Sequence, residues 1–120
     1  MIELVLESQG NILGIKVRKG LSGSDYTDVL VPHLDWIVQE HGRARLLFSM
    51  EGDVQGLEPD SPWLPERFGI EHGDRIEKMA VSGESPWAEW CIKIGEAPKG
   101  PQIKVFAPGQ WEQAWDWIVL

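Results

Sequence analysis

The chain has a single cysteine, Cys91, so it cannot form an internal disulfide bond. Its three histidines, His33, His41 and His72, are scattered and give no zinc-binding spacing with that cysteine. We therefore expect Cys91 to be a small buried hydrophobic residue. We predict no metal site and no cofactor.

Basic residues are few: 11 lysines and arginines stand against 19 acidic residues, which gives a formal net charge of −8. No cluster of lysine or arginine offsets this charge locally. Because such a surface repels polyanions, the composition argues against nucleic acid as a partner and favours at most peripheral membrane contact.

Long apolar runs are also missing, and none of the short ones approaches the roughly 20 residues of a membrane span. The first residues, Met1 to Leu4, have the pattern of a strand instead of a basic and then apolar leader, so we expect no secretory signal. With 120 residues and 42% hydrophobic content, the chain is long enough for one core and too short for two. We predict a single cytoplasmic domain over residues 1–120.

The residue in excess is tryptophan. Rings of this size, apolar except for one N–H group, serve cores, interfaces and apolar pockets alike. The seven tryptophans are Trp36, Trp63, Trp87, Trp90, Trp111, Trp115 and Trp117.

Alternating apolar residues predict an N-terminal hairpin with strands from Ile2 to Leu6 and from Ile12 to Lys19, joined by a turn at residues 8–11. A first helix should follow, with Ser24 as its N-cap and Gly42 at its end. Proline at position 32 should kink or loosen this helix, because proline lacks the N–H group of a helical bond. The inward face of the helix is predicted to be Tyr26, Leu30, Leu34 and Ile37.

Three later segments, Ala44 to Met50, Ile76 to Ser82 and Gln102 to Ala107, have the apolar character of strands buried on both faces, and the first of them should be central. Between the last two, Ser85 as a cap and Pro86 in the first helical position predict another helix. Its apolar face is predicted to be Trp87, Trp90, Cys91 and Ile94.

The chain should close with a helix from Gln110 to Val119, and Trp117 falls off its inward stripe. The stripe is predicted to be Trp111, Ala114, Trp115 and Ile118. With one more helix between the two middle strands, the order is ββαβαβαβα. This order predicts an α/β protein with four helices and a mostly parallel sheet of four to five strands that opens with the hairpin.

The chain resembles the SpoIIAA-like proteins, a bacterial branch of the STAS-type fold that is similar in architecture to the CRAL-TRIO lipid carriers. The resemblance rests on the opening Met-Ile-Glu-Leu strand, on Trp87, and on three longer stretches. These are DYTDVLVPHLDWIVQEHGRARLLF (residues 25–48), FGIEHGDRIEKMAV (68–81) and IKVFAPGQWEQAWDWI (103–118). The resemblance implies a SpoIIAA/STAS-like sheet with helices beside it, no established enzymatic activity, and a role in binding or carrying non-polar ligands through helices that can open.

The stretch LEPDSPWLPERFGIEHGD, residues 57–74, places Ser61 after an acidic residue and before a proline. In STAS-type anti-sigma antagonists an Asp-Ser pair in this region carries a regulatory phosphate, so the resemblance gives Ser61 a candidate regulatory role. A phosphate there would meet four carboxylates in residues 51–60. The alternative is that Ser61 is the N-cap of a helix, with Pro62 in its first turn, or that the helix starts later, at Pro65.

Whichever start is correct, this helix is weak in itself, because an interior proline costs roughly 3 kcal/mol and a glycine such as Gly69 about 1 kcal/mol. Burial of Trp63, Leu64, Phe68 and Ile70 should hold it in place. A segment held only by apolar docking can undock like a lid over a ligand. The predicted ligand-binding cluster is Phe48, Met50, Trp63, Leu64, Phe68, Trp87, Trp90 and Ile94. The alternative is that these aromatic residues are simply core.

For catalysis the sequence offers little, and we expect no enzyme. Ser49 lacks the flanking glycines of a nucleophile elbow, and residues 10–14 do not match a phosphate-binding loop. His41 is interpreted as a cation at a helix C-terminus. Carboxylates at positions 51, 53, 58 and 60 miss the ligand spacing of a calcium loop.

Two functions from different classes remain open. The first is a non-enzymatic module that binds a small non-polar or lipid-like ligand between mobile helices and the sheet. The second is a regulatory protein–protein module resembling an anti-sigma factor antagonist. An outward-facing Trp117 would also favour a homodimer through the last helix.

Overall fold

The protein is built on one five-stranded sheet with the strand order β1-β2-β3-β4-β5. The computed structural model describes residues 1–5 and 10–120. β1 is antiparallel to β2, and the remaining neighbours are parallel, which confirms the predicted α/β class with a mostly parallel sheet. The strands are β1 (Ile2–Leu4), β2 (Ile12–Arg18), β3 (Ala44–Glu51), β4 (Ile76–Ser82) and β5 (Gln102–Phe106).

The pairing of β1 with β2 confirms the N-terminal hairpin, with Ile2 opposite Val17 and Leu4 opposite Ile15. Part of the predicted turn, at Ser8 and Gln9, and the predicted strand end at Leu6 lie outside the described residues.

Four α-helices follow the strands in the predicted order: α1 (Val31–His41), α2 (Pro65–His72), α3 (Ser85–Gly95) and α4 (Trp111–Ile118). A π-helical turn, Asp25–Leu30, leads into α1, and a 3-10 turn, Gly73–Arg75, follows α2. Among the described residues, no helix has the length and apolar character needed to cross a membrane.

The first helix is loosened where the proline predicts it. Pro32 has no N–H group, and the turn directly before it widens to π geometry, so that the Val31 N–H donates to the carbonyl of Tyr26. The predicted cap at Ser24 is wrong, since its side chain makes no capping bond. Instead the Ser22 hydroxyl accepts from the Asp25 N–H at 3.0 Å, and the Asp25 carboxylate accepts from the Ser22 N–H at 3.2 Å. This reciprocal pair is a capping box that begins two residues before the predicted cap.

The two faces of the sheet are covered unequally. The three crossovers from β2 to β5 run in the same direction along the sheet, so right-handed connections put α1, α2 and α3 on one face. That face holds the larger core, with Leu34 of α1, Phe68 of α2 and Ile94 of α3 packed on the strands. α4 covers the other face, where Ala114 and Ile118 pack on Leu47 and Ala80.

β3 is the central strand, as predicted. Its residues 46–50 are all buried, alternating between the two cores: Leu46, Phe48 and Met50 face the larger core, and Leu47 faces α4. A strand buried on both faces requires apolar residues at successive positions, which explains its continuous apolar run.

α4 lies against β2 where the strand has no side chain. A Cβ atom at Gly14 would lie 3.2 Å from the Trp115 ring, 3.3 Å from the Trp111 ring and 3.2 Å from the Val5 side chain. Trp117 is half-buried, with its ring 5.0 Å from the Lys78 ammonium. The prediction that Trp117 points outward is therefore wrong, because Lys78 from the neighbouring β4 packs over it; the homodimer stays a prediction.

We expect Gly14→Val to lower the free energy of unfolding by about 1–3 kcal/mol, because the added side chain overlaps the packed tryptophan rings. Urea denaturation gives the measurement. The matched control is Gly23→Val, since a Cβ atom at Gly23 meets nothing within 4 Å. Equal stability of the two variants would contradict the close packing of α4 on β2.

Candidate binding cleft

A cluster of buried aromatic rings joins α2, α3 and β3. The Trp63 ring stacks on Phe68 with centroids 6.2 Å apart and meets Phe48 edge-on at 6.2 Å. Trp90 of α3 meets Phe48 edge-on at 5.2 Å and Phe68 at 6.3 Å. Edge-on and stacked ring pairs contribute about 0.5–1.5 kcal/mol each beyond the area they bury. The cluster therefore holds α2 and α3 at a fixed distance from the central strand.

Two hydrogen bonds add direction to this packing. The Trp63 indole N–H donates to the carbonyl of Ser22 at 2.8 Å, and the Trp90 indole N–H donates to the carbonyl of Trp63 at 2.7 Å. The expectation that only apolar docking holds this segment is therefore wrong, because Trp63 is hydrogen-bonded both to Ser22, ahead of the π-helical turn, and to Trp90 of α3. Ile70 was expected to be buried and is 80% exposed, so it takes no part in holding α2.

Ser61 is not the N-cap of α2. Leu64 precedes Pro65, and a residue before proline is driven to extended backbone, here with ψ 137°, so the helix begins at Pro65. This confirms the later of the two predicted starts. Ser61 lies in the preceding turn, where its hydroxyl accepts from the Trp63 N–H at 3.1 Å and is buried.

The start of α3 is also displaced by one residue from the prediction. The cap is Glu84, whose carbonyl accepts from the N–H groups of Trp87 and Ala88 at 2.9 and 3.0 Å, and Ser85 is already helical. Pro86 then occupies the second position, where its missing N–H leaves no helical bond unmade.

A cleft of about 720 Å³ opens at the carboxyl edge of the sheet, between residues 52–57 and α3. Ligand sites in open α/β sheets lie at this edge. Met50, Trp87 and Trp90 are nearly buried and form its floor. Val54 and Leu57 are half-buried and supply apolar surface on the loop wall. The cleft therefore offers an apolar interior at the place where α/β proteins bind ligands.

The mouth of the cleft is polar and mainly acidic. Asp53 lies on the loop wall, Glu84 and Glu89 lie on the helix wall, and all three are exposed. Lys93 is the one cation among the described residues that line the cleft. The arrangement suits a ligand with an apolar body and a polar end at the solvent.

The cleft includes three of the eight residues predicted to bind a ligand: Met50, Trp87 and Trp90. Leu64 is half-buried and does not line it. Ligand contact by the other members stays a prediction that requires the segment around Trp63 to move. The remaining four, fully buried in the core, are Phe48, Trp63, Phe68 and Ile94.

Sequence reasoning missed the loop wall and the acidic mouth. Gly52 and Gly56 lie on either side of the apolar Val54 on the loop wall. The sequence signal that could have predicted this wall is the mixture of small and apolar residues in the loop directly after the central strand.

A second unforeseen feature is a polar chain buried beside α2. Arg75 donates to His72 Nδ1 at 3.0 Å, so this nitrogen accepts and the neutral ring carries its proton on Nε2. His72 Nε2 then donates to the Tyr26 hydroxyl at 2.7 Å, and Tyr26 donates to Glu71 at 2.6 Å. Arg75 also pairs with Asp35 of α1. This series of hydrogen-bonded side chains connects the π-helical turn and α1 to the end of α2.

Burial, and next the Arg75 guanidinium, lower the pKa of His72 below its ordinary value. Burial, and next the hydrogen bond to Glu71, raise the pKa of the Tyr26 hydroxyl. Both side chains are therefore neutral near pH 7. No buried side-chain nitrogen or oxygen among the described residues lacks a partner, which is typical of a structural network.

The remaining chemically reactive group is inaccessible. Cys91 is fully buried, as predicted, and burial raises the pKa of its thiol to about 12, so the nucleophilic thiolate does not form near pH 7. Within residues 1–5 and 10–120, no group of three or more His, Cys, Asp or Glu side chains is placed to hold a metal ion.

The sheet with helices on both faces and a ligand-sized cleft at its carboxyl edge defines a small α/β module of the binding or interaction class. The sequence model of the SpoIIAA-like family matches residues 12–119, so the chain belongs to the SpoIIAA-like family. The fold is similar to that of a crystallised, uncharacterized protein of the DUF3478 family from Shewanella loihica, described as having a SpoIIAA-like fold. The two share 22% identity, with a TM-score of 0.66 over 98% of this chain and 93% of that one. The search of curated proteins finds no match.

We expect the free energy of unfolding to fall as the pH drops below about 6.5. The folded protein keeps His72 neutral while the unfolded chain binds a proton at this histidine, so the unfolded state binds more protons and gains stability on acidification. The facing groups are Tyr26, Glu71, Asp35 and Arg75.

Urea unfolding at several pH values between about 5.5 and 7.5 gives the measurement. In His72→Gln the decrease should be smaller than in the wild type. The control His33→Gln, at an exposed histidine, should retain the wild-type decrease. Equal slopes for His72→Gln and the wild type would show that His72 does not couple folding to pH.

Proposed function

We propose that this protein is a non-enzymatic binding module and that the cleft between residues 52–57 and α3 takes up a small non-polar or lipid-like ligand. The observation that carries the proposal is the cleft itself: its volume of about 720 Å³ lies within the roughly 300–1,000 Å³ of small-molecule sites. Its floor consists of Met50 and two tryptophan rings, Trp87 and Trp90.

As far as the structure describes it, the lining of the cleft lacks a buried or paired ionisable group. The described residues that line the cleft include no histidine, cysteine or serine, and its ionisable side chains, Asp53, Glu84, Glu89 and Lys93, are all exposed. Carboxylates and amines can act as general bases, but catalytic ones are usually tuned by burial or by a close partner. Cys91 is sealed in the core, and His72 is engaged with Tyr26 and Arg75. The side chains that reach the cleft are suited to shape recognition and charge recognition.

The rigidity of the floor also favours a preformed site. Trp90 is anchored by its hydrogen bond to Trp63 and by edge-on contacts with Phe48 and Trp87, the latter at 5.5 Å. A ligand would therefore meet a surface that loses little conformational entropy on binding. In this proposal the loop of residues 52–57, and not the segment around Trp63, is the part that adapts to the ligand.

A large side chain substituted at Gly56 should fill the cleft. A Cβ atom at Gly56 meets no atom within 4 Å, and its φ is outside the left-handed region, so a side chain there enters open space without strain. We expect wild-type protein to bind the neutral apolar probe N-phenyl-1-naphthylamine, and Gly56→Phe to raise its Kd at least about tenfold. Probe fluorescence gives the measurement.

The matched control is Gly23→Phe, at a second glycine with open surroundings that lies outside the cleft, and it should bind like the wild type. Native mass spectrometry of the purified protein extends the test, since a co-purified non-polar ligand should be lost in Gly56→Phe. An absence of probe binding, or equal binding by Gly56→Phe and Gly23→Phe, would refute the proposal.

A second candidate function, a protein–protein module, is favoured by one observation. Ile70 on α2 is 80% exposed, and Ile92 on the neighbouring α3 is 45% exposed, so the outer faces of these helices carry apolar side chains without cover. This candidate does not need Ser61 as a switch. The Ser61 hydroxyl is buried in its turn, and a phosphate there would lie among the carboxylates of residues 51–60.

For this candidate we expect Ile70→Glu to abolish capture of a partner protein, because the substitution puts a charge into an apolar contact. Affinity capture with tagged protein is the measurement, and Val119→Glu, at an exposed apolar residue beyond α4, is the control. A partner that is retained by Ile70→Glu would place the contact elsewhere.

A further inference from the structure

The carboxylates at the mouth of the cleft have no partner cations. Asp53, Glu84 and Glu89 all line the cleft and are exposed, and among the described residues none of the three takes part in an ion pair. They stand on both walls, with Asp53 on the loop, Glu84 at the N-cap of α3 and Glu89 on α3 itself. A charged group of a ligand in the cleft would therefore meet negative charge from two sides.

Two positive contributions oppose these carboxylates, and both are smaller. Lys93 is four residues beyond Glu89 on α3, about 6 Å along the helix axis, so it offsets part of the charge of that carboxylate. It is nine residues beyond Glu84, about 13.5 Å, which exceeds the Debye length of about 8 Å at physiological ionic strength. The N-terminus of α3 carries a partial charge of only about half a proton. With three carboxylates against one ammonium group among the described lining residues, the mouth of the cleft remains negative.

An apolar floor beneath a negative mouth selects by charge. A fatty-acid carboxylate with its chain on Trp87 and Trp90 would place its anion against Glu84 and Glu89, whereas an ammonium group would be attracted there. Ammonium groups near the face of an indole ring gain further from the ring electrons, and Trp87 lies three residues after Glu84 while Trp90 directly follows Glu89.

We propose that the ligand of this cleft is a small amphiphilic cation, with its apolar body on Met50, Trp87 and Trp90 and its positively charged end between the Asp53 wall and the Glu84–Glu89 wall. The inference rests on the proposed function, since it names the class of molecule that the same cleft takes up. It also excludes free fatty acids as the preferred ligands.

Displacement of N-phenyl-1-naphthylamine tests the charge preference directly. Three competitors share one alkyl chain: decyltrimethylammonium, decanol and decyl sulfate. At low ionic strength we expect the cation to displace the probe at a concentration at least about tenfold lower than the anion, with the alcohol between them. The ratio should shrink at about 1 M salt, where the Debye length is about 3 Å.

A pair of double variants separates the cleft from the overall acidity of the protein. In Glu84→Gln/Glu89→Gln the ratio of anion to cation concentrations should fall towards one. Glu40→Gln/Glu112→Gln removes the same charge at exposed positions outside the cleft and should keep the wild-type ratio.

The outcomes distinguish the two proposals. Failure of the probe to bind, or its binding to Gly56→Phe as to the wild type, removes the proposed function together with this inference. If the probe binds in the cleft but cation and anion displace it equally, only the cationic ligand is refuted. If Glu84→Gln/Glu89→Gln still prefers the cation, the preference comes from the net charge of the protein, and the inference is overturned as well.

Discussion

The hydrogen bond from the Trp90 indole N–H to the carbonyl of Trp63 is the contact on which the rest of this architecture depends. It joins α3 to a segment that, with Pro65 and Gly69, has little helical propensity of its own. Loss of such a bond leaves a buried donor or acceptor unsatisfied, at a cost of about 1–3 kcal/mol. Because Trp90 also packs on Phe48, the same side chain fixes α2, α3 and the central strand together.

The cleft is a consequence of how the crossovers are arranged. With α1, α2 and α3 on one face, the loops that leave β3 and β4 both emerge at the carboxyl edge, beside the N-terminus of α3. Trp90 turns its N–H group inward to Trp63, and its ring, with that of Trp87, closes the bottom of the gap. α4 takes no part in this edge, because it covers the opposite face through Gly14, Leu47 and Ala80. The cleft and the second core thus lie at different parts of the sheet.

The elements of the fold could be predicted because their periodic patterns are long and local. Tyr26, Leu30, Leu34 and Ile37 are buried on one face as their spacing indicates, and the four parallel strands, β2 to β5, differ from prediction by at most one residue at an end. The predicted burial of β5 on both faces is wrong, because β5 lies at the edge of the sheet and none of its residues is fully buried. The caps were harder to predict. Ser22 and Ser24 both lie near the start of the first helix, and which hydroxyl accepts from a free N–H group depends on backbone angles that the sequence pattern does not contain. At α2 the extended conformation of Leu64, which Pro65 forces, decides where the helix begins.

By itself the sequence determined the α/β class, the order of the elements, the burial of Cys91 and the tryptophan-rich interior, since each follows from local periodicity and composition. Only the tertiary structure decided which of those tryptophans are sealed in the core and which reach the cleft, and it alone brought His72 to Tyr26 and Asp53 to the wall opposite Glu89. These residues are distant along the chain. Their meeting depends on how far each helix slides and turns over the sheet, and that is set by the packing of whole side chains against one another.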